Sequence, residues 1–121
     1  MIDCEIKMKL PSLNEYINVC RTNKYKAAAY KRDIESQIAL FTNKLPKFDT
    51  PVYIRFLWVE ANNKRDPDNI AFAKKFILDT LVKTGKLPND SHKYINAFED
   101  YFTFGPKTEA HIFIFVEEDL K

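Results

Sequence analysis

Hydrophobic and polar residues alternate with period two from Cys4 to Leu10, as expected of a half-buried strand ended by Pro11. Ser12 to Thr22 reads as a loop. From Lys24 to Asn43 the period lengthens to that of a helix. Tyr30, Ile34, Ile38 and Phe41 share one stripe, while Lys31, Arg32 and Glu35 fall elsewhere. Thr50-Pro51 introduces a second strand, Val52 to Ala61, rich in aromatic and β-branched residues. A second helix is predicted from near Pro67 to Gly85, a glycine suited to a C-terminal cap. Two further strands, Tyr94 to Phe104 and Ala110 to Glu117, are joined by Gly105-Pro106-Lys107-Thr108. The order β-α-β-α-β-β predicts an α+β fold: a single two-layer domain over residues 1–121, with both helices on one face of a mixed sheet.

A chain of 121 residues, 45% hydrophobic and 14% aromatic, can bury enough surface to offset the entropy lost on folding. Only two glycines are present, which excludes a glycine-rich phosphate loop of the P-loop or dinucleotide kind. Cys4 and Cys20 are too few and too far apart for a zinc site, and His92 and His111 are isolated. Met1 to Lys9 mixes charge with hydrophobe and does not read as a signal peptide. No apolar run approaches the roughly 20 residues of a membrane span. No membrane partner is expected, and a soluble, reducing compartment such as the cytoplasm is the natural setting.

The net charge of +2 does not by itself argue for nucleic acid; its distribution says more. Arg21, Lys24, Lys26, Lys31 and Arg32 follow one another without an intervening acid, and Lys64-Arg65 directly precedes an acidic motif. A basic run also serves as an ordinary solvated helix face. The acidic stretch Glu117-Glu118-Asp119 reads as solvated.

The motif is Asn63-Lys64-Arg65-Asp66-Pro67-Asp68-Asn69. It has a reading without chemistry. Asp66 caps the helix, Pro67 takes the first helical position, and Asp68 meets the positive helix end. The functional reading begins from the same residues. Pro67 pushes Asp66 to an extended conformation, and alternate residues of an extended segment point the same way. Two carboxylates that converge are costly without a cation. Magnesium removes that cost, since it takes oxygen ligands, keeps several waters and needs only a few carboxylates plus a phosphate oxygen.

A third acid, Asp90, lies in Gly85-Lys86-Leu87-Pro88-Asn89-Asp90. The helix from Asp68 to Lys83 would run roughly 22 Å at about 1.5 Å per residue. The extended chain from Gly85 to Asp90 can return roughly 17 Å at about 3.3 Å per residue, which nearly closes the gap. Asn89-Asp90 also suits an ordinary turn. Lys75 is seven residues after Asp68, about two turns on and nearly on the same face, whereas Lys74 is rotated by roughly a third of a turn. Lys75 is placed to stabilise charge that develops on a phosphate. Its alternative role is a surface pair with Asp79.

Together these residues resemble the RusA-type Holliday junction resolvases. The likeness is carried by Arg65-Asp66-Pro67-Asp68-Asn69-Ile70, a helix ending Leu78-Asp79-Thr80-Leu81, and Gly85 followed by Asp90. Leu10-Pro11-Ser12-Leu13-Asn14 and Tyr30-Lys31-Arg32 also resemble that family's opening, so the similarity covers nearly the whole chain. The resemblance implies a magnesium-dependent endonuclease, with manganese able to substitute, that acts as a homodimer and nicks opposing strands of four-way DNA junctions. The family's essential aspartates fall on Asp66, Asp68 and Asp90, the last supplied by the same chain or, where the longer helix puts it out of reach, by the partner subunit. Phe72 stands where the family carries its helix lysine, a departure that moves that role to Lys75 or its neighbour Lys74. Lys64, Arg65, Asn69, Lys74 and the basic residues Arg21, Lys24, Lys26, Lys31 and Arg32 are the expected DNA contacts, mainly to phosphates.

Two rivals accompany this expectation. One is a non-catalytic nucleic-acid-binding module in which Tyr53, Phe56, Trp58, Phe113 and Phe115 stack on bases; those rings serve equally as core. The other is a structural dimer without a DNA role, whose acids only begin a helix.

Overall fold

The computed structural model describes residues 1–120. Its elements in chain order are β1 (Ile2–Ile6), α1 (Leu13–Thr22), α2 (Lys24–Thr42), β2 (Val52–Glu60), α3 (Pro67–Ala71), α4 (Lys74–Lys83), β3 (Ile95–Phe104) and β4 (Glu109–Val116), followed by a 3-10 turn over Glu117–Leu120. The four strands form one mixed sheet in the order β1-β4-β2-β3. β4 runs antiparallel to both its neighbours, and β3 runs parallel to β2. The fold is α+β, as expected.

Alternation decides which face is covered. Val52, Ile54, Phe56 and Trp58 of β2, Ala110, Ile112 and Ile114 of β4, and Cys4 and Ile6 of β1 are buried. They meet Ile34, Ile38, Ile70, Phe76, Ile77 and Leu81 from the helices in a single hydrophobic cluster. The intervening residues Tyr53, Arg55, Leu57, Phe113 and Phe115 are half-buried, with no second layer over them among the described residues. On α2 the expected stripe is present: Ile34 and Ile38 are buried, and Tyr30 and Phe41 pack against the cluster.

Three expectations change. The first strand stops at Ile6, not Leu10. The segment after it is a helix rather than a loop, because Ser12 and Glu15 begin it together. The Ser12 hydroxyl accepts the Glu15 backbone N–H at 3.2 Å and donates to the Glu15 carboxylate at 3.3 Å. Asn23, in extended conformation, then separates α1 from α2 and caps the latter by accepting the N–H groups of Tyr25 and Lys26. Finally, the helix expected from Pro67 to Gly85 is two helices. At Phe72-Ala73 the bonding tightens to three-residue spacing, with Ala73 N–H to Ile70 O at 3.2 Å and Phe76 N–H to Ala73 O at 3.0 Å.

Gly85 does end α4. It adopts a φ of +76°, which a side chain would disfavour. Its N–H bonds to Val82 O at 3.1 Å, and that of Lys86 to Leu81 O at 2.8 Å. This is the paired bonding of a Schellman cap.

Candidate metal and nucleic-acid site

Glu60, the last residue of β2, is buried, and its carboxylate holds Arg65 in a two-pronged ion pair. Arg65 Nε donates to Glu60 Oε1 at 2.7 Å and Nη2 to Oε2 at 2.8 Å. Nη1 donates to Leu10 O at 2.8 Å and lies 3.7 Å from Glu15. The hydrogen bond with Glu60 raises the Arg65 pKa further, so the charge is permanent. This clamp shapes the loop from Ala61 to Asp66 and joins it to the start of α1. The loop is tied on its other side by Ala61 N–H to Thr108 Oγ1 at 3.1 Å.

Beyond the clamp, Asp66 is extended (φ −80°, ψ 154°) and Pro67 opens α3, as the sequence implied. Asp66, however, caps nothing: its side chain accepts no N–H from the helix that it precedes. The reading without chemistry assigned it that work. Asp66, Asp68 and Asp90 are all exposed, and none of their carboxylates has a hydrogen bond or ion pair among the described residues. Arg65, adjacent in sequence, neutralises Glu60 instead. Asp66 lines a cleft with Asn62, Asn63, Ile70, Phe102 and Phe104.

Asp90 is elsewhere. Because β3 is parallel to β2, Val52 sits beside Ile95 and Glu60 beside Phe104. The loop that carries Asp90 is fastened at the Val52 end, by Phe48 N–H to Lys86 O at 2.7 Å and Val52 N–H to Tyr94 O at 2.9 Å. Asp66 is at the Glu60 end. The strand between them spans about 26 Å at roughly 3.3 Å per residue, whereas four residues from Tyr94 to Asp90 reach only about 13 Å. The return estimated from chain length therefore ends at the wrong end of the sheet within one protomer. No group of three or more metal-ligating side chains gathers among the described residues.

The break at Phe72-Ala73 also interrupts the phase relation expected between Asp68 and Lys75. Lys75 lies 3.5 Å from Asp79, the surface pair that was its alternative role. Lys74 donates to Asp100 at 2.6 Å, where the Trp58 indole N–H also donates at 2.9 Å. Its ammonium lies 4.9 Å from the Phe98 ring centre. Phe72 is an aromatic anchor, its ring 5.7 Å from Tyr16 and 5.7 Å from Phe76.

Of the expected DNA contacts, Arg21, Lys24, Lys26, Arg32 and Lys64 are exposed and unpaired among the described residues. Lys31 is committed to Asp79 at 2.7 Å, and that hydrogen bond raises its pKa. Asn69 is half-buried in α3. Phe56 and Trp58, two of the rings offered for base stacking, are buried core. Sequence reasoning missed Phe102 and Phe104 beside Asp66. Their signal was a strand with aromatics on both alternations: Phe98, Phe102 and Phe104 on one, Tyr101 on the other.

No protein-family model matches the chain, and no curated protein matches it. Among the described residues no helix is long and apolar enough to cross a membrane.

Proposed function

We propose that this protein is a magnesium-dependent endonuclease that resolves four-way DNA junctions by paired, symmetric nicks. The observation that carries the reading is the unspent carboxylate of Asp66. It precedes a helix that it does not cap, two residues from the equally free Asp68. Asp68 lies in the first turn of α3, where its charge favours the helix end, whereas Asp66 has no such structural work. The segments that resemble the resolvase family also converge. Leu10 accepts Arg65, and Tyr16 links Tyr30 at 6.4 Å to Phe72 at 5.7 Å.

The donor set suits magnesium, which takes one or two carboxylates and completes its shell with water and phosphate oxygens. Asp66 and Asp68 would hold the ion; Asp90, at the Val52 end of the sheet, is out of their reach within one protomer. Such an ion supplies an activated water and offsets charge on the scissile phosphate. The chain's own part is placement. The Glu60–Arg65 clamp fixes the loop that presents the acids. Lys64, Arg21, Lys24, Lys26 and Arg32 offer free charges to phosphates, so binding should weaken with salt and depend little on sequence. Lys75 must exchange Asp79 for a phosphate to assist.

The test is cleavage of a mobile synthetic four-way junction with magnesium, beside a linear duplex. Paired nicks on opposite strands are expected from the native protein. Asp68→Asn should bind the junction and leave it whole. Nicking retained by that variant removes the metal-site reading. Magnesium-indifferent binding of single strands without cleavage supports the binding-module rival.

A further inference from the structure

Asp79 serves two lysines through one oxygen. Lys31, reaching across from α2, lies 2.7 Å from Oδ2, and Lys75, one turn earlier on α4, lies 3.5 Å from the same atom. The two contacts are unequal. The Asp79 side chain is 18% exposed and Lys31 is nearly as sheltered, whereas Lys75 is 59% exposed. Burial pushes the Asp79 pKa up; the hydrogen bond and the charge of Lys31 pull it down, and Lys75 adds less than either of these. Lys31 neutralises the carboxylate, and Lys75 is a surplus cation.

Neither lysine has a competing partner. Glu35, the other carboxylate near Lys31, is paired with Lys83 at 2.8 Å. Lys75 meets no second acid among the described residues. Its position also works against its own helix. Lys74 and Lys75 occupy the first turn of α4, the positive end of the helix dipole, and no acid accompanies them there. Asp100 offsets Lys74 at 2.6 Å. Lys75 has only the loose end of Asp79.

We propose that Lys31 is a positioning residue: by saturating Asp79 it keeps the Lys75 ammonium free to take a DNA phosphate. This rests on the nuclease reading for the identity of the anion, but on the Asp79 geometry alone for the release of Lys75. Without Lys31, Asp79 is a sheltered carboxylate one helical turn from Lys75, and those two close into a pair. Lys75 is then spent on its own helix. The role separates Lys31 from Arg21, Lys24, Lys26 and Arg32, whose exposed charges meet phosphate without an intermediary.

Two measurements test this. The first needs no DNA. Brief acetylation of the folded protein with acetic anhydride, read by mass spectrometry, compares Lys75 with the exposed Lys64. Relative to the unaltered protein, Lys75 should label several-fold more slowly in Lys31→Met and at the original rate in Lys31→Arg. It should also recover in Lys31→Met combined with Asp79→Asn, where no carboxylate is left to capture it. An unchanged or faster Lys75 rate in Lys31→Met overturns the release; loosening of the fold alone would speed labelling, the opposite sign. The second measurement is the salt dependence of junction binding without magnesium. Each phosphate contact contributes about 0.9 to the slope of log K against log salt. Lys31→Met and Lys75→Met should each lower the slope by that amount, and both together by no more than one alone. Adding Asp79→Asn to Lys31→Met should restore it. A slope that stays low there makes Lys31 itself the phosphate contact and overturns the proposal. If the unaltered protein binds the junction but does not cut it, the nuclease reading fails and the positioning stands. If it binds no junction, the phosphate role falls with that reading, and acetylation alone decides whether Lys31 governs Lys75.

Discussion

Replacing Arg65 by Met should be among the most destabilising single changes outside the hydrophobic core. The guanidinium side chain is 14% exposed and the Glu60 side chain 8%, and two bonds of 2.7 and 2.8 Å join them. Arg65→Met leaves the Glu60 carboxylate buried without either donor and frees the Leu10 carbonyl that Nη1 also satisfied. Breaking one side of a buried pair costs about 3–5 kcal/mol. For 121 residues, an unfolding entropy of roughly 2.1 cal/mol/K per residue converts this to a fall in Tm of about 12–20 °C. Urea unfolding followed by the fluorescence of Trp58, the one tryptophan and 2% exposed, reports the change. The midpoint should fall with an unaltered slope. Arg65→Lys should lose an intermediate amount, since a point charge cannot fill the fork. The combined Glu60→Met and Arg65→Met variant should recover most of the loss, because no charge is then stranded. A loss under about 1 kcal/mol for Arg65→Met, or a double variant that loses the sum of both singles, refutes the clamp as described.

The link between α2 and α4 should be acid-sensitive. Burial, the largest single influence on Asp79, pushes its pKa up, but the Lys31 hydrogen bond and charge, with Lys75 beyond, together hold it below the usual range. A depressed carboxylate stabilises above its unfolded pKa of about 3.9 and loses that contribution as pH falls through the folded value. Lys31→Met should therefore destabilise at neutral pH and converge with the native protein in acid, as read by Tm from pH 7 to pH 2. The two free cysteines should differ in reactivity. Burial pushes the Cys4 thiol up, and its Sγ donates to Phe41 O at 3.0 Å, whereas Cys20 is exposed. A thiol reagent should titrate one group in the native protein and two in denaturant. At Gly105 an added Cβ would meet Val59 Cγ1 at 2.8 Å, so Gly105→Ala should lower stability by about 1–3 kcal/mol in the same urea assay.

Most of the fold was legible because its elements have strong periods. β2 was legible from its run of aromatic and β-branched residues, and α2 from its stripe. α1 escaped although Leu13, Tyr16, Ile17 and Cys20 recur at helical spacing, a period that reading the segment as a loop passed over. Ser12 with Glu15 was its readable sign. The break at Phe72-Ala73 is invisible in the pattern, since Ile70, Ala73, Phe76 and Ile77 remain buried on either side of it. The acidic motif was legible as a local object, including the extended Asp66 before Pro67. Which acids it meets depends on the direction of β3, and no local spacing tells a parallel neighbour from an antiparallel one. The roles of Arg65 and Lys31 were hidden for a related reason. Each looks like a free surface charge until folding supplies Glu60 or Asp79 as its partner.

The place of β1 carries a consequence for how the molecule assembles. Its sole strand partner is β4, with Ile2 beside Ile114 and Ile6 beside Ala110. Nearly the entire polypeptide must be looped out before that ladder can close, and such distant pairing slows folding and favours late docking. Nuclei built from α2, β2 and α4 would stand first, with the opening strand added as a final stave. Its amides should then be the earliest in the sheet to exchange with heavy water, through local detachment rather than global unfolding.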